Sequence, residues 1–317
     1  MIRSHPITKE LANWWAAYGG RHDSPEWGAY LADFRSLLAT KHDELTSEHH
    51  NEGRFGMSKA AGCTRAATLK ALGAEPEPFD GDTLVTFHIG HMMECLAIAT
   101  LRACGYNIDS SQERVRLDPF MSSAFDGVIE DIGVDLPGPL PALLSVKSAG
   151  YKGSSQSRGK WLRRGFAALP FDGIYKGNFS AWCQSQAEMH ASGISRTLVV
   201  VVAKDIVKAF QGDPYMQESG SLTFYCELIE YDQQWCETQL LPVWSEAWDN
   251  TLVGKAGPAY FFNPNLGIYA RLPKPGDSGV GWGGPNQAAT STFNPCGGCD
   301  LATACKADLA ANYRSAA

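Results

Sequence analysis

The sequence predicts an α/β fold in which a mixed central sheet is flanked by helices. Three short strand-like runs, ERVRLD, SSAFDGVIED and ALLSVKSA, follow two helical segments, and a further helix separates them from the apolar runs RTLVVVVAKD and LTFYCELIEYD. Helices alternating with strands in this order are typical of a sheet with helices packed on it. The 317 residues, 44% of them hydrophobic, are sufficient for a full core.

Three regions follow one another along the chain. Residues 1–55 are predicted to be helical and polar, and residues 56–253 contain the helices and strands of the sheet. Residues 254–317 are rich in glycine and proline at first and end on a cluster of cysteines. We therefore expect an N-terminal helical region, a core and a C-terminal tether.

Turn and capping residues delimit the elements of the core. MSKAAGCTRAATLKALG predicts a helix with Ser58 as N-cap, Cys63 near its start and Gly73 as C-cap, and FHIGHMMECLAIATLRACG predicts a longer helix that stops at Gly105. The turn-rich IGVDLPGPLP predicts a hairpin between its flanking strands. GNFSAWCQSQAEMHASG predicts a helix, and QQWCETQLLPVWSEAWDNTL predicts one that is kinked at Pro242.

Composition restricts the classes of partner and compartment. The net charge of −7 means that any nucleic-acid surface must be a local patch. The N-terminus lacks the apolar core of a signal peptide, and the longest apolar run, TLVVVVAK, fits a buried strand. Nine cysteines, an odd number, favour a reducing compartment in which clustered thiols bind metal. We expect a cytoplasmic protein, in a bacterial or phage-infected cell, with no membrane partner.

Three side chains along the predicted sheet have the chemistry of a metal-dependent phosphodiesterase. Glu94 lies on the helix before the sheet, Asp126 lies at an Asp-Gly step that is expected to end or bend a strand, and Lys147 lies at the end of the next apolar strand. Carboxylate oxygens are the ligands that Mg²⁺ and Mn²⁺ prefer, and such a metal activates water for attack on phosphorus. A lysine beside them offsets the charge that develops on the phosphate or orients the nucleophile.

The segment from Gly56 to Cys305 resembles the RecB-like branch of the PD-(D/E)XK nucleases. It is most similar to the iron–sulfur members: the CRISPR-associated spacer-acquisition nuclease, its phage-borne relatives and AddB-type subunits. The resemblance rests on the order of AAGCTRAATLKALG, GHMMECL, FDGVIED, LLSVKSA, CQSQAEMH and a late C-x2-C-x5-C. It implies a restriction-endonuclease-like core over residues 56–253 and cleavage of DNA.

The resemblance assigns roles to the three side chains. The helical metal ligand of the family falls on Glu94, with His91 as a nearby substitute. The central aspartate falls on Asp126, and the lysine of the (D/E)-x-K element falls on Lys147.

The glutamine of the family's Q-x-x-x-Y element falls on Gln184, where it would position substrate or lysine. Glu188 then stands where tyrosine is usual. Gln186–His190 is a second possible register.

Ser145 departs from the pattern, because the family has Asp or Glu two residues before the lysine. A neutral serine is a poor Mg²⁺ ligand. The sequence leaves three explanations open. The site carries an inactivating substitution, or another carboxylate replaces the lost one, or the fold keeps a DNA surface without cutting. Nearby candidates for a replacement carboxylate are Glu113, Glu130 and Asp131.

A basic segment with interleaved aromatic residues follows the lysine strand and is predicted to bind DNA. Cations neutralise phosphates, and aromatic rings stack on unpaired bases. No recognition helix is evident, which favours single-stranded DNA or DNA ends over readout of a duplex. The predicted DNA-binding residues are Lys152, Arg158, Lys160, Trp161, Arg163 and Arg164.

Four cysteines from distant parts of the chain form the predicted cofactor site: Cys63, Cys296, Cys299 and Cys305. Four thiolates suit a [4Fe–4S] cluster or structural zinc. A single ligand joined to a group of three is unlike paired zinc knuckles, and together with the resemblance this favours the cluster. It would clasp the N-terminal helix of the core to the C-terminal segment. The other thiols, Cys95, Cys104, Cys183, Cys226 and Cys236, are expected in the core.

The sequence thus predicts a Mg²⁺- or Mn²⁺-dependent exonuclease acting on DNA ends, with a structural [4Fe–4S] cluster. The alternative function is that of a catalytically impaired DNA-binding or assembly subunit, which Ser145 favours. DNA-processing proteins or further copies of the chain are possible partners.

Overall fold

The computed structural model describes residues 5–46, 54–110, 114–132, 140–150, 155–157, 160–162, 165–204, 223–258, 260–263 and 268–271. The chain forms two compact units whose segments interleave along the sequence. The first unit comprises Met1–His50, Gly81–Val115 and Ser123–Tyr231. The second comprises Asn51–Asp80, Arg116–Ser122 and Asp232–Ala317. The division into regions 1–55, 56–253 and 254–317 stays a prediction.

The helices and strands follow in chain order. They are α1 (Ile7–Tyr18), α2 (Pro25–Thr46), β1 (Phe55–Gly56), α3 (Thr64–Ala71), α4 (Gly81–Ala103), β2 (Tyr106–Asp109), β3 (Arg114–Leu117), β4 (Met121–Ala124), β5 (Gly127–Ile132), β6 (Ala142–Ala149), β7 (Ser155–Ser157), β8 (Lys160–Leu162), α5 (Leu169–Gly177), α6 (Phe179–Ser192), β9 (Arg196–Ala203), β10 (Phe224–Glu230), α7 (Gln233–Trp235), α8 (Leu241–Leu252), β11 (Tyr260–Asn263) and β12 (Ile268–Arg271).

A five-stranded sheet with the order β10-β9-β6-β5-β2 forms the centre of the first unit. Strands β6 and β9 are parallel, whereas the other neighbours are antiparallel. The sheet is therefore mixed and flanked by helices, which confirms the predicted class. The pairing of β5 with β6 confirms the hairpin around IGVDLPGPLP.

The two faces of this sheet carry different helices. One face packs against α1 and α4 and includes Leu144 and Val146 of β6. The opposite face packs against α5 and α6 and includes Leu143. Because successive side chains of a strand point to opposite faces, Ser145 and Lys147 share the face of Leu143 and α6.

The run SSAFDGVIED forms two strands instead of one. Strand β4 pairs within a three-stranded sheet, β1-β4-β3, and β5 belongs to the five-stranded sheet. The chain passes from one sheet to the other at Phe125 and Asp126, which belong to neither strand. The Asp-Gly step was predicted to end or bend a strand, and it does so at this change of sheet.

Two predictions about helix boundaries in the second unit need correction or refinement. Ser58 is not the N-cap of α3, because Met57–Lys59 forms a separate 3₁₀ turn and Cys63 occupies the cap position. Gly73 follows the C-cap residue Leu72 with a φ of +88°, a conformation that glycine adopts without strain.

Helix α8 begins just before the proline that was predicted to kink it. A π-helical turn, Cys236–Leu240, joins α7 to α8, and Pro242 lies in the first turn of α8. Proline has no N–H to donate, so a local change in the hydrogen-bond pattern next to it is expected.

Helix α4 is long and apolar enough to span a membrane by length and composition alone. It also contributes Ala97, Ile98 and Leu101 to the core of the first unit. Because a core helix passes the same test, this helix is weak evidence for a membrane.

Candidate functional site

Asp126 immediately precedes β5, where the pairing of β5 with β6 begins. The backbone N–H of Val146 donates to Asp126 Oδ2 over 2.6 Å, so the carboxylate replaces a main-chain acceptor. The ladder pairs Gly127 with Leu144, and continuing it by one residue places Asp126 opposite Ser145. The aspartate therefore lies beside the S-x-K segment of β6.

Lys147 lies on β6 opposite Val201 of β9 and is half-buried. Its positive charge partly opposes the rise that burial causes in the pKa values of two carboxylic acids, Asp126 and Glu188. Among the described residues its ammonium group makes no ion pair or hydrogen bond. The lysine is thus near two carboxylates without being engaged by either one.

Glu188 brings a carboxylate to the cluster from α6. Its side chain is buried, with 1% of its surface exposed. Ser123 Oγ donates to Glu188 Oε1 over 2.6 Å, and Gln184 Nε2 donates to the same oxygen over 2.8 Å. Both donors hold Oε1, and Oε2 accepts no hydrogen bond from the described part of the chain.

The two carboxylic acids of this cluster, Asp126 and Glu188, both have raised pKa values. Burial raises the pKa of Asp126 to about 7; the charge of Lys147 and the bond from Val146 oppose this rise, and the charges of Glu94 and Glu188 add to it. Burial also raises the pKa of Glu188, although Lys147, Ser123 and Gln184 oppose the shift. Lys147 acts on both of these carboxylic acids, and an added cation would favour their ionised forms further.

Glu94 is held in a different way, by partners on the helical side. Lys41 Nζ lies 2.7 Å from Glu94 Oε1, and His91 Nδ1 lies 3.7 Å from Oε2. Burial favours a higher pKa for Glu94, but hydrogen bonding from His91 and the charge of Lys41 outweigh burial and lower it. Sequence reasoning did not anticipate Lys41, which lies 53 residues away along the chain.

Ser145 is buried among these groups, with 2% of its surface exposed. Within the described residues its hydroxyl has no hydrogen-bond partner. A buried hydroxyl without a partner costs about 1–3 kcal/mol, so this oxygen marks a place where a ligand would be accommodated.

The donors fit a hard cation by their chemistry. Asp126, Glu188 and Ser145 offer oxygen atoms, which Mg²⁺ and Mn²⁺ prefer over nitrogen and sulfur. In the part of the chain that the structure describes, no group of three or more His, Cys, Asp or Glu side chains is already arranged as a metal site. The cluster therefore has the ligand types and the charge for a cation without preformed coordination by three protein ligands.

The two glutamine registers have different surroundings. Gln184 and Glu188 face the cluster, whereas Gln186 Nε2 donates to the backbone oxygen of Glu230 over 2.9 Å. His190 Nδ1 lies 2.5 Å from Tyr231 Oη, next to β10. Only the Gln184 register therefore contacts the candidate site, and Gln184 contacts Glu188 there.

Of the three carboxylates suggested as replacements, only the side chain of Glu130 lies within the described residues. Glu130 lies on β5 with an exposed side chain. Glu113 and the side chain of Asp131 lie outside the described residues. The structure instead places Glu188 there, and its i,i+4 pairing with Gln184 was the available sequence signal.

Part of the basic segment forms a short hairpin. Strand β7 pairs with β8 in antiparallel fashion, with Gln156 opposite Trp161 and Ser157 opposite Lys160. The other predicted DNA-binding residues, Lys152, Arg158, Arg163 and Arg164, lie outside the described residues.

The predicted cluster ligands are described only in part. Cys63 caps α3 and is partly exposed. Cys296, Cys299 and Cys305 lie outside the described residues. Of the predicted core thiols, Cys104 is half-buried and the other four, Cys95, Cys183, Cys226 and Cys236, are buried.

Comparison with known proteins gives little. No family model matches the chain, and no curated protein matches it. A solved structure described as "Crystal structure of SSO0001" is similar to it with a TM-score of 0.36 and 12% identity, over 69% of this chain and 85% of that one. This similarity is too low to support a functional argument.

Proposed function

We propose that the protein is a metal-dependent deoxyribonuclease of the RecB-like type, acting as an exonuclease on DNA ends and preferring single strands. The observation that carries the proposal is the grouping of Asp126, Glu188 and Lys147 around the S-x-K segment of β6. In this proposal the mixed sheet is the restriction-endonuclease-like core.

The residues of the chain have distinct roles in this reaction. A bound Mg²⁺ or Mn²⁺ would supply an activated water and stabilise charge on the phosphate. Asp126, fixed by Val146, would hold the cation together with a second carboxylate. Lys147, which has no ion pair in the described structure, would stabilise the charge on the phosphate oxygens. Glu94, with His91 beside it, is the additional metal ligand that the resemblance suggests on the helix, but its pair with Lys41 at 2.7 Å makes it the less available carboxylate.

The DNA strand would approach along the β7–β8 hairpin. Lys160 and Trp161 lie on β8, two strands downstream of β6. A cation for the phosphate and a ring for an unpaired base suit a single strand. Lys152, Arg158, Arg163 and Arg164 would extend this surface.

The cysteine cluster belongs to the same proposal. Cys63, Cys296, Cys299 and Cys305 would hold a [4Fe–4S] cluster that clasps α3 to the C-terminal segment. Closing so long a loop limits the conformational freedom of the unfolded chain, so the role of the cluster would be structural. Visible absorbance of anaerobically purified protein tests this. The Cys63→Ala variant should lose the visible absorbance of the cluster. A colourless wild-type protein with one zinc per chain would show that the four cysteines bind zinc and that the cluster assignment is wrong.

A second function is favoured by Ser145. A chain that lacks the acidic residue of the (D/E)-x-K element would bind DNA or assemble with DNA-processing proteins without cutting. A nuclease assay with Mg²⁺ or Mn²⁺ on 5′- and 3′-labelled single strands separates the two functions. Cleavage by the wild type supports the enzyme, and absence of cleavage in both the wild type and Ser145→Glu would exclude it.

A further inference from the structure

Ser145 removes a carboxylate from the strand, and the structure offers another on the facing helix. Helix α6 packs against β6, on the face that carries Ser145 and Lys147. Glu188 is the acidic residue that α6 contributes to this side, because its carboxylate is bonded to Ser123, three residues before Asp126. Asp126 thus lies opposite the serine, directly before the neighbouring strand, and Glu188 lies on the helix that packs on the serine's face of the sheet.

The side chain of Glu188 is held in place by hydrogen bonds from other residues of the first unit. A buried carboxylate needs hydrogen-bond donors, and Ser123 and Gln184 supply two. Both act on Oε1, at 2.6 and 2.8 Å, so the carboxylate is held in one orientation. Its second oxygen accepts no hydrogen bond within the described residues. A metal ligand supported by its own donors has this arrangement.

An independent observation points to a ligand at the same place. The hydroxyl of Ser145 is buried and has no partner in the described chain. Asp126 also keeps one oxygen without a hydrogen bond, since Val146 donates only to Oδ2. Three oxygen atoms, from Glu188, Ser145 and Asp126, are thus available to a hard cation and its water.

The other carboxylates are less suited to replace the missing one. Glu94 lies on α4, which packs on the opposite face of the sheet, and is engaged by Lys41 at 2.7 Å. Glu130 is exposed on β5.

We propose that Glu188 serves as the metal ligand that the acidic residue before Lys147 supplies in related nucleases, with Ser123 and Gln184 as its positioning residues. This assignment rests on the proposed function. With this assignment, the neutral Ser145 does not imply a loss of the metal site. The carboxylate that the strand lacks is supplied by Glu188 on helix α6, so the number of negative charges at the site is unchanged.

The test measures Mn²⁺ affinity directly, by electron paramagnetic resonance of free Mn²⁺, alongside DNA cleavage. Glu188→Gln keeps the shape and loses the charge. We expect it to weaken Mn²⁺ binding by at least about tenfold, the lower limit seen even when an outer-shell partner of a metal ligand is removed. Glu130→Gln is the matched control on the exposed surface and should bind Mn²⁺ as the wild type does.

The exchange variant Ser145→Glu/Glu188→Gln moves the carboxylate back to the strand and should recover Mn²⁺ affinity and cleavage. A Glu188→Gln protein that binds Mn²⁺ like the wild type would overturn the assignment while leaving the nuclease function intact. A wild type that neither binds Mn²⁺ nor cuts DNA would overturn both.

If Glu188→Gln does not fold, Ser123→Ala gives a milder test, because it keeps the carboxylate and removes one donor. We expect weaker Mn²⁺ binding with an unchanged circular dichroism spectrum. Unchanged affinity in Ser123→Ala, with Gln184→Ala also unchanged, would contradict the assignment.

Discussion

The two faces of the central sheet differ in whether their charged side chains form ion pairs. On the α4 face, Glu94 is neutralised by Lys41 at 2.7 Å and supported by His91. On the α6 face, within the described residues, Lys147 has no ion pair and the hydroxyl of Ser145 has no hydrogen-bond partner. A satisfied pair contributes to the fold, whereas unsatisfied groups that remain close together are typical of a site that binds something else.

The largest effect on the rate of DNA cleavage is expected for Asp126 and Lys147, the charged residues of the α6 face that lack an ion pair in the described structure. Asp126→Asn keeps the acceptor for Val146 and removes the charge, and Lys147→Met keeps the aliphatic chain. Each should lower the rate of DNA cleavage on the order of 10²–10³-fold or more, as loss of a preorganised charge does in other active sites. Cleavage rates and thermal melting should both be measured.

The melting temperatures of these two variants should stay close to that of the wild type, because neither charge has an ion-pair partner in the described structure. A variant that cuts normally would show that this face is not the active site.

Breaking the pair on the other face should affect stability more than chemistry. Glu94→Gln removes the negative charge that lies 2.7 Å from the ammonium of Lys41, and the two side chains are only 13% and 12% exposed. Removing one partner of a buried pair costs about 3 kcal/mol, so urea unfolding should shift accordingly. Lys41→Met/Glu94→Gln should recover most of that loss.

If Glu94→Gln instead keeps its stability and loses Mn²⁺ affinity, the contrast between the faces is wrong. Glu94 would then be primarily a metal ligand, as the family resemblance implies.

Mn²⁺ that binds to the candidate site on the α6 face should raise the melting temperature of the protein. A ligand that binds only the folded state at a hundred times its dissociation constant adds about 2.7 kcal/mol. Thermal melting with and without Mn²⁺ should therefore show a rise in the wild type and a much smaller one in Asp126→Asn. Equal rises in both proteins would place the cation elsewhere.

The predictions for the site rest on short motifs and on the order of these motifs along the chain. Asp126 and Lys147 were predicted from the Asp-Gly step, the strand LLSVKSA and the order of motifs on which the family resemblance rests, and the structure places Asp126 beside the S-x-K segment of β6. The pairing of Lys41 with Glu94 joins residues 53 apart, and that of Ser123 with Glu188 joins residues 65 apart. Sequence spacing does not reveal such contacts, because they depend on which helix packs on which face.

The smallest expected effect concerns the hairpin that follows the site. Lys160→Ala removes one cation from β8, and Trp161→Ala removes one ring. If Lys160 contacts a phosphate, its loss should weaken binding of all single-stranded sequences equally and lower the salt slope by about 1. Trp161→Ala should weaken binding by about 1–3 kcal/mol with an unchanged salt slope, because stacking releases no counterion.

Fluorescence anisotropy with labelled oligonucleotides at several salt concentrations separates the two variants. Equal salt slopes for Lys160→Ala and the wild type would mean that Lys160 does not reach the backbone. The DNA path would then have to be sought among Lys152, Arg158, Arg163 and Arg164, and a double Arg163→Ala/Arg164→Ala variant measured in the same way decides it. A loss of slope in that variant alone would assign the phosphate contacts to Arg163 and Arg164, which is compatible with the proposed site at Asp126, Lys147 and Glu188.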